Sequence, residues 1–282
     1  MRYKGILVVF VVFASLILLS SVFVLAVKPN FVPVEVVPSD GQASVIIPEN
    51  AVEVAPDVFD LGLARDVDGR LIQGYAFVHR KDSQAKPPWA GGGSGDSSTC
   101  YSVLAKGAKW KSAENYLVDS ANNDGLTQSF VENNVGASVN TWEAETSSNI
   151  FGSQTAGVVD GIDTASTDGK NEFLFASMPN DPNTIAVTIT WGIFYGPPQG
   201  RELVEWDMAF NDDFAFGDAD VLGNNVMDFL NIMTHEKGHA LGLGHPSDGC
   251  TEETMFRFAS AGETKKRTLE AGDIAGLKSL YG

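Results

Sequence analysis

Basic residues are scarce in this chain, and so is cysteine. The 282 residues include 19 Lys and Arg against 36 Asp and Glu, which gives a formal net charge of −17 at pH 7. So few positive groups argue against nucleic-acid binding, which needs a basic face. The acidic balance fits a soluble, secreted protein and leaves carboxylates available for Ca²⁺. The two cysteines, Cys100 and Cys250, allow one disulfide within the chain.

Histidine is also rare, yet three of the four histidines lie between His235 and His245, in the stretch HEKGHALGLGH. Histidines four residues apart share one face of a helix, so His235 and His239 can bind a single Zn²⁺. Gly242 can adopt a left-handed conformation that ends the helix and returns His245 as a third ligand. Glu236 would then face the open side of the metal, where catalytic zinc sites hold water. A bare histidine pair also arises by chance on surface helices, but the extended pattern favours the zinc site.

The residues before this motif predict a helix with one buried face. Its apolar positions recur at helical spacing: Val226, Phe229, Leu230, Met233 and Leu241. Asn225 is a good N-cap, and Asp228 three residues later resembles the partner in a capping box. The histidines are therefore expected near the C-terminal end of this helix, where the chain exits toward a cleft.

The long histidine motif resembles that of the metzincin metallopeptidases, and three further stretches resemble the matrixins, their matrix metalloproteinase branch. Residues 254–256 are similar to the methionine turn, residues 269–282 to the last matrixin helix, and residues 204–211 to the strand before the zinc helix. Pro246 departs from the pattern, because matrixins usually carry serine after the third histidine. The short span to the methionine nevertheless favours the matrixin branch.

The resemblance, which covers roughly residues 100–282, implies an α+β fold. It predicts a twisted, mostly parallel but mixed five-stranded sheet, two long helices and a C-terminal helix after the methionine turn. It also implies a zinc-dependent endopeptidase with His235, His239 and His245 as metal ligands. Glu236 would act as general base toward the water that attacks the peptide bond. A second, structural zinc is not expected, because the chain lacks the histidines for it.

The resemblance also assigns roles to the residues that follow the third histidine. Met255 would form a floor beneath the metal, and Asp273 would brace the methionine turn. Phe256, Arg257 and Phe258 would leave the metal along one wall of the pocket for the substrate residue after the cut bond. An apolar pocket of this kind predicts cleavage before Leu, Ile or Phe. If Arg257 pointed inward, it would shorten the pocket or favour an acidic residue.

The N-terminal third is expected to lie outside the catalytic domain. Residues 1–27 predict a signal peptide or a membrane anchor, since an uncharged run from residue 5 follows two basic residues and reaches about 20 residues. Either would place the rest of the chain outside the cytoplasm, secreted or on the outer face of the membrane. The prolines of residues 28–60 predict an extended stalk or prosegment. A glycine-rich linker would end this region, which spans residues 28–98, and residues 99–282 would form the catalytic domain.

Residues 71–79 could form a short strand or hairpin arm, and they include the fourth histidine, His79. A surface or packing role is expected for His79. Further along, residues 184–195 alternate apolar and polar side chains, and residues 202–211 are expected to pair with them as a hairpin. By resemblance, the outer of these two strands borders the active-site cleft, where a free edge could bind an extended peptide.

Cys100 and Cys250 are most simply joined as one disulfide in an oxidising compartment. The alternative is a latency switch in which the Cys100 thiolate occupies the open zinc position, as in matrixin prosegments. The residues around Cys100 do not resemble the prosegment motif.

An acidic, glycine-punctuated loop offers possible calcium ligands at Asp160, Asp163 and Asp168. A solvated turn is the alternative, because turns favour the same residue types. Matrixins carry structural calcium, so the resemblance adds some support for Ca²⁺ here.

The sequence thus predicts a secreted or surface-anchored zinc endopeptidase that acts on proteins or peptides and is expected as a monomer. Two alternatives remain open: a zinc-binding module without activity, and a calcium-stabilised extracellular binding or structural module. The intact Glu236 argues against the first of these.

Overall fold

The computed structural model describes residues 43–82 and 97–282. The apolar run that predicts a signal peptide or anchor and the glycine-rich linker both lie outside these residues. Across the described ranges, no helix has the length and apolar character needed to span a membrane.

The described chain contains short and long strands together with four α-helices. The strands are β1 (Val52–Ala55), β2 (Val58–Arg65), β3 (Leu71–Lys81), β4 (Ser102–Val103), β5 (Glu114–Val118), β6 (Phe151–Ala156), β7 (Asn171–Ala176), β8 (Thr184–Ile193), β9 (Glu202–Asn211), β10 (Phe216–Gly217), β11 (Met227–Asp228), β12 (Leu243–Gly244) and β13 (Phe258–Ala259). The helices are α1 (Gln128–Glu143), α2 (Ala219–Leu222), α3 (Phe229–Ala240) and α4 (Ala271–Tyr281).

Nine strands of the described residues form one mixed sheet in the order β1-β2-β3-β8-β9-β7-β5-β6, with β13 paired to β3. The strands β9, β7, β5 and β6 are parallel, whereas β8 runs antiparallel to β9 and to β3. The α+β architecture with a mixed sheet and a C-terminal helix agrees with the sequence-based expectation. The sheet has nine strands and not five, because β1, β2, β3 and β13 extend it beyond β8.

Alternation along β8 explains how the sheet separates two cores. Val187, Ile189 and Trp191 enter a cluster on one face, while Thr188 and Thr190 hydrogen-bond to residues of α3 on the other. The larger cluster, on the helix side, holds the apolar faces of α1, α3 and α4. The polar threonines therefore face the helix that carries the histidine motif.

Within the range 28–60, the described residues 43–60 differ from the extended, unpacked stalk that the prolines predict. Residues 52–55 form β1 and residues 58–60 begin β2, and the two strands form an antiparallel hairpin. The next strand, β3, joins that hairpin to β8. Apolar burial explains the difference, since Leu61, Ile72 and Val78 are buried in the cluster beneath β8. The division into a prosegment and a catalytic domain stays a prediction.

The two cysteines form a disulfide, as expected from an oxidising compartment. Cys100 and Cys250 are bonded with a Cα–Cα distance of 5.6 Å, across 150 residues of sequence. The bridge ties the segment before β4 to the loop between His245 and Met255. The alternative of a Cys100 thiolate at the metal is therefore wrong for this structure.

Candidate metal centre and active site

The helix α3 brings the first two histidines of the motif together. It begins later than predicted: Asp228, not Asn225, is the N-cap, and its Oδ1 accepts a hydrogen bond from the backbone N–H of Asn231 at 2.9 Å. Asn225 lies instead in a 3-10 turn before β11. The later start is explained by residues 227–228, which pair with β10 as a short parallel strand.

The third histidine returns to the other two through the turn predicted at Gly242. This glycine has φ 91°, a left-handed conformation that favours glycine. The chain then enters β12, which pairs antiparallel with β4 and directs His245 back toward α3. The sequence-based expectation of three neighbouring histidines matches the structure.

The Nε2 atoms of the three histidines converge on one point. Nε2 of His239 lies 3.1 Å from Nε2 of His235 and 3.1 Å from Nε2 of His245. The Nδ1 atom of each ring faces a backbone carbonyl oxygen: Thr254 at 2.7 Å for His235, Leu243 at 2.9 Å for His239 and Pro56 at 3.4 Å for His245. Each Nδ1 can therefore carry the proton and donate it, which leaves three Nε2 lone pairs directed at one another.

Burial keeps these rings neutral. It lowers the pKa of His235 and of His239 well below the usual value, and it lowers the pKa of His245 to about 3. Three neutral imidazoles with facing lone pairs repel one another unless a cation lies between them. The donor set, three histidine nitrogens with second hydrogen bonds to carbonyls, is one that Zn²⁺ prefers, so the residues fit a zinc ion.

Glu236 is fully buried beside this centre. Its Oε1 lies 2.9 Å from Nδ1 of His79, and its Oε2 accepts a hydrogen bond from Oγ1 of Thr188 at 2.6 Å. Burial raises the pKa of Glu236 to about 8, although the Thr188 hydrogen bond and the nearby Lys266 both lower it. A carboxyl group with a pKa near neutrality suits a residue that accepts and returns a proton.

His79 is a residue of this site that the sequence did not reveal. Its ring stacks on His235 with 3.8 Å between centroids and is completely buried, so of the expected surface or packing roles only packing agrees with the structure. Nε2 of His79 lies 3.0 Å from Nζ of Lys266. Burial lowers the pKa of His79 well below its usual value, so the neutral ring can donate from Nδ1 to Glu236 and accept at Nε2 from Lys266. No local motif marks His79, because its partners are 157 and 187 residues away.

Phe77, on the same strand, is a second residue that the sequence did not assign to the site. Its ring stacks on that of His239 with 4.1 Å between centroids and an interplanar angle of 11°. Residues i and i+2 of a strand point to the same face, so Phe77 and His79 both face the histidine centre. The alternating pattern of β3 could have predicted a shared face, but not what that face contacts.

The methionine turn is held by the carboxylate that the resemblance indicated. Asp273 accepts hydrogen bonds from the backbone N–H groups of Thr254 at 2.7 Å and Met255 at 3.0 Å. Met255 is buried against α3 at Gly238, where an added Cβ would lie 2.2 Å from the methionine sulfur. Gly238 therefore has no room for a side chain, and the methionine turn fixes the carbonyl of Thr254 that bonds His235.

A cavity of ≈ 540 Å³ opens beside His245, and Arg257 lines it. The Arg257 guanidinium donates to Asp248 at 2.9 and 3.0 Å and to Asp57 at 2.6 Å. Phe256 and Phe258 are not among the lining residues. Of the three residues proposed for the specificity pocket, the structure places only Arg257 at this cavity.

The acidic loop brings two of its three predicted ligands to a group that includes a strand residue. Asp163, Asp168 and Glu205 have carboxylate oxygens within 4.8 Å of one another, whereas Asp160 is exposed and lies outside this group. Glu205 is 1% exposed, and its Oε1 has no hydrogen-bond partner among the described residues; the same holds for Oδ2 of Asp163. Asp207 lies beside them, with Oδ2 accepting the N–H of Asp163 at 2.8 Å.

Burial and mutual repulsion raise the pKa of each buried carboxyl in this cluster. The pKa is raised for Asp163 and Glu205, well above the usual value for Asp207, and to about 6 for Glu172. Facing carboxylate oxygens without a donor need either a shared proton or a bound cation. The sequence missed Glu205 and Asp207 because they lie on β9, some 40 residues from the loop.

Comparison with known proteins agrees with this arrangement. A family model described as matrixin matches residues 109–282, more than half of the chain. The chain therefore belongs to the matrixin family.

Individual relatives match shorter stretches. Human matrilysin is 38% identical over 76 residues, which are 27% of this chain and 27% of that protein. Human matrix metalloproteinase-25 is 35% identical over 85 residues, 29% of this chain and 15% of that protein. Metalloendoproteinase 1-MMP of Arabidopsis thaliana is 35% identical over 89 residues, 31% and 22% of the two chains. The matched stretches thus span about a quarter or less of these relatives.

Proposed function

We propose that this chain is an extracellular zinc endopeptidase, secreted or anchored at the cell surface, in which His235, His239 and His245 hold the metal. The convergence of three neutral Nε2 lone pairs, each backed by an Nδ1 contact to a carbonyl, supports this ligand set most directly. When bound there, zinc supplies Lewis acidity that activates water and polarises the scissile carbonyl. The disulfide supports an oxidising compartment outside the cytoplasm.

Glu236 is proposed as the general base. Its carboxylate would take a proton from the attacking water and deliver it to the leaving amine. Lys266 lies on the far side of His79 from Glu236 and donates to the backbone carbonyls of Phe256 and Phe258. Lys266 therefore links the strand β3 to the segment after the methionine turn, while Met255 serves as packing beneath the histidines.

The preferred substrate residue after the cut bond is proposed to be medium or large and apolar. The cavity beside His245 supports this, since Val103 and Leu104, which lie outside β1, β2 and β3, contribute apolar walls to it. Arg257 is held at the rim by Asp57 and Asp248, so its charge is already paired. A peptide library would test this: dominant selection of Asp, Glu or Gly after the cut would overturn the pocket assignment without affecting the metal site.

We also propose a structural Ca²⁺ at Asp163, Asp168 and Glu205. Support comes from the unpartnered, buried Oε1 of Glu205, which faces the other two carboxylates. Carboxylate oxygens are the ligands that Ca²⁺ prefers. Asp160, which is exposed, is not retained as a ligand.

The substitution Glu236→Gln tests the proposed activity. The variant should retain zinc near stoichiometry but lose peptidase activity by roughly 100-fold or more, because the ligands remain while the proton acceptor is lost. Glu202→Gln, at a partly exposed carboxylate on β9, is the matched control and should keep its activity. Activity of Glu236→Gln within tenfold of the parent would remove Glu236 from the mechanism.

A further inference from the structure

The strand β3 occupies the edge of β8 that the sequence analysis expected to be free. Eight residue pairs join Gln73–Arg80 of β3 antiparallel to β8. On its other side, β3 pairs antiparallel with β2 over residues 71–77 and parallel with β13 at its end, where Phe258 is opposite Arg80 and Ala259 is opposite Lys81. The end of the strand therefore lies between β8 and the segment that follows the methionine turn. An extended peptide cannot add to this edge of β8 while β3 is there.

Side chains of β3 also cover the histidine centre itself. Phe77 stacks on His239 and His79 stacks on His235, at the centroid distances of 4.1 and 3.8 Å given above. Under this cover, His235, Glu236 and His239 are each 0% exposed. A scissile carbonyl must approach the metal ligands from outside, and the rings of Phe77 and His79 occupy space on that approach.

The same strand engages the proposed general base. Oε1 of Glu236 is hydrogen-bonded to His79, and Oε2 is hydrogen-bonded to Thr188. Each oxygen keeps a second lone pair, but Glu236 is 0% exposed, so an attacking water reaches it only when the groups that cover it move aside. The contact that β3 contributes is the one with His79, so removal of the strand would release Oε1.

Contacts away from the centre hold β3 in this position. Ile72 and Val78 are buried in the cluster on the other face of the sheet. Arg80 forms ion pairs with Asp57 and Asp181. At Gly74 the strand lies against the indole of Trp191, where an added Cβ would meet the ring at 2.6 Å. The docked strand is thus fitted to β8 on both faces.

We propose that residues 71–81 are a built-in inhibitory strand, which keeps the endopeptidase latent by occupying the peptide-binding edge of β8 and by engaging Glu236 through His79. This inference rests on the proposed function. Latency of this kind needs no cysteine at the metal, which agrees with the Cys100–Cys250 disulfide. A peptide substrate and β3 exclude each other, so activity requires the strand to be displaced or removed.

Hydrogen exchange of the zinc-loaded full chain tests the exclusion without relying on catalysis. A peptide hydroxamate, which binds zinc and extends along a strand edge, is added at saturation. The amides of β3 that bond to β8 should lose protection by about tenfold or more when the hydroxamate binds, since binding selects the displaced state. Binding with the protection of β3 unchanged would overturn the proposal.

Two variants of the full chain provide the second test, and both act through the docked strand. Gly74→Ala weakens docking at Trp191, far from the metal ligands in sequence and without altering them, and Phe77→Ala removes the stack on His239. Each should raise hydrolysis of a fluorogenic peptide by about tenfold, because the competent fraction increases as docking weakens. Leu71→Ala is the matched control, since Leu71 is 40% exposed at the start of the same strand.

The outcomes separate the inference from the function on which it rests. Unchanged hydrolysis in both variants, with the parent already active, means that β3 is a permanent strand of the sheet and overturns the inference. If the hydroxamate binds the zinc-loaded chain and displaces β3, but no variant hydrolyses peptide, the inhibitory position of β3 is supported. The proposed peptidase activity is then contradicted. Should one variant fail to fold in an unfolding measurement, the other and the hydrogen-exchange result still decide the question.

Discussion

The histidine centre and the acidic cluster each bring several side chains of one chemical type together in the protein interior, but the two sets differ in their hydrogen bonding. The three histidines are neutral, and the Nδ1 of each faces a carbonyl oxygen. In the acidic cluster, by contrast, oxygens of Asp163 and Glu205 have no hydrogen-bond partner within the described ranges. Both arrangements suit a cation, yet only the second contains groups that would be charged in water at neutral pH.

The difference predicts how each region behaves when no cation is bound. Without a cation, the facing lone pairs of the neutral imidazoles repel one another, but the carbonyl hydrogen bonds and the methionine turn can hold the histidine centre in place against this repulsion. Buried carboxylates cannot remain ionised together, so the acidic cluster takes up protons, as its raised pKa values indicate. We therefore expect that metal at the histidine centre mainly changes the activity of the protein, whereas a cation at the acidic cluster mainly changes its stability.

The largest expected effect is on metal affinity, and it separates the two regions. His239→Asn should weaken zinc binding by roughly 100-fold or more, because it removes a ligand outright, a larger loss than that of a supporting residue. Competition with a chromogenic chelator would measure this. Glu205→Gln is the control and should leave zinc affinity unchanged. Near-parental zinc affinity in His239→Asn would mean that the converging nitrogens are not the zinc site.

The next largest expected effect comes from the disulfide, which anchors a loop next to the histidine centre. Cys250 lies in the loop that joins His245 to the methionine turn, and the bridge spans 150 residues. Replacing both cysteines with serine should lower the free energy of unfolding by roughly 2–5 kcal/mol. Urea titration would measure the loss, and thiol titration of the unreduced parent should find no free thiol. Two reactive thiols in freshly prepared protein would contradict the bridge.

The acidic cluster should make stability depend on pH when Ca²⁺ is chelated. Its carboxyl groups have raised pKa values in the folded state, so the folded protein holds protons that the unfolded chain releases above about pH 4. The stability that these carboxyl groups contribute is therefore greatest at low pH. It is lost as the pH rises past the raised pKa of each group, which is about 6 for Glu172 and higher for Glu205. Each proton that the folded protein keeps after the unfolded chain has released it costs about 1.4 kcal/mol per pH unit, so the loss between pH 5 and 8 should be roughly 4 kcal/mol.

Calcium and a matched variant show whether this loss comes from the cluster. Saturating Ca²⁺ should restore stability at pH 8 by replacing the protons, and thermal unfolding at a series of pH values would show a flatter profile. Glu205→Gln, which resembles the protonated form, should reduce both the pH dependence and the effect of Ca²⁺. A calcium effect of equal size in parent and variant would place the ion elsewhere.

The same contrast explains what the sequence could predict. The three histidines lie within eleven residues of one helix and turn, so local spacing was enough to predict that they come together. Glu205 and His79 reach their sites only through strand pairing, β9 beneath the acidic loop and β3 against β8. Sequence periodicity indicates which residues share a face of a strand, but not which strand lies next to it. For that reason the sequence predicted a strand or hairpin arm at residues 71–79 but not that β1, β2, β3 and β13 extend the sheet beyond β8.

Lys237 offers a third buried arrangement, with the smallest expected effect. Its ammonium lies 3.6 Å from the centroid of the Trp206 ring and also faces Tyr116 and Phe151, and within the described chain its Nζ has no hydrogen-bond partner. Burial lowers the pKa of Lys237 well below its usual value. Unlike the histidines and the carboxylates, this group has neither a carbonyl nor a place for a cation, and only aromatic faces compensate it.

Lys237→Met should therefore stabilise the protein. An unsatisfied buried donor costs about 1–3 kcal/mol, whereas the ring contacts return roughly 0.5–2 kcal/mol, and Met fills a similar length without a polar end. We expect a net gain of about 1 kcal/mol, seen as a rise of roughly 2–4 °C in Tm, with zinc affinity unchanged. Lys237→Gln keeps a polar end without the charge and should give no such gain. A loss of stability in Lys237→Met would instead show that the contact between the ammonium and the aromatic rings outweighs the cost of burying it.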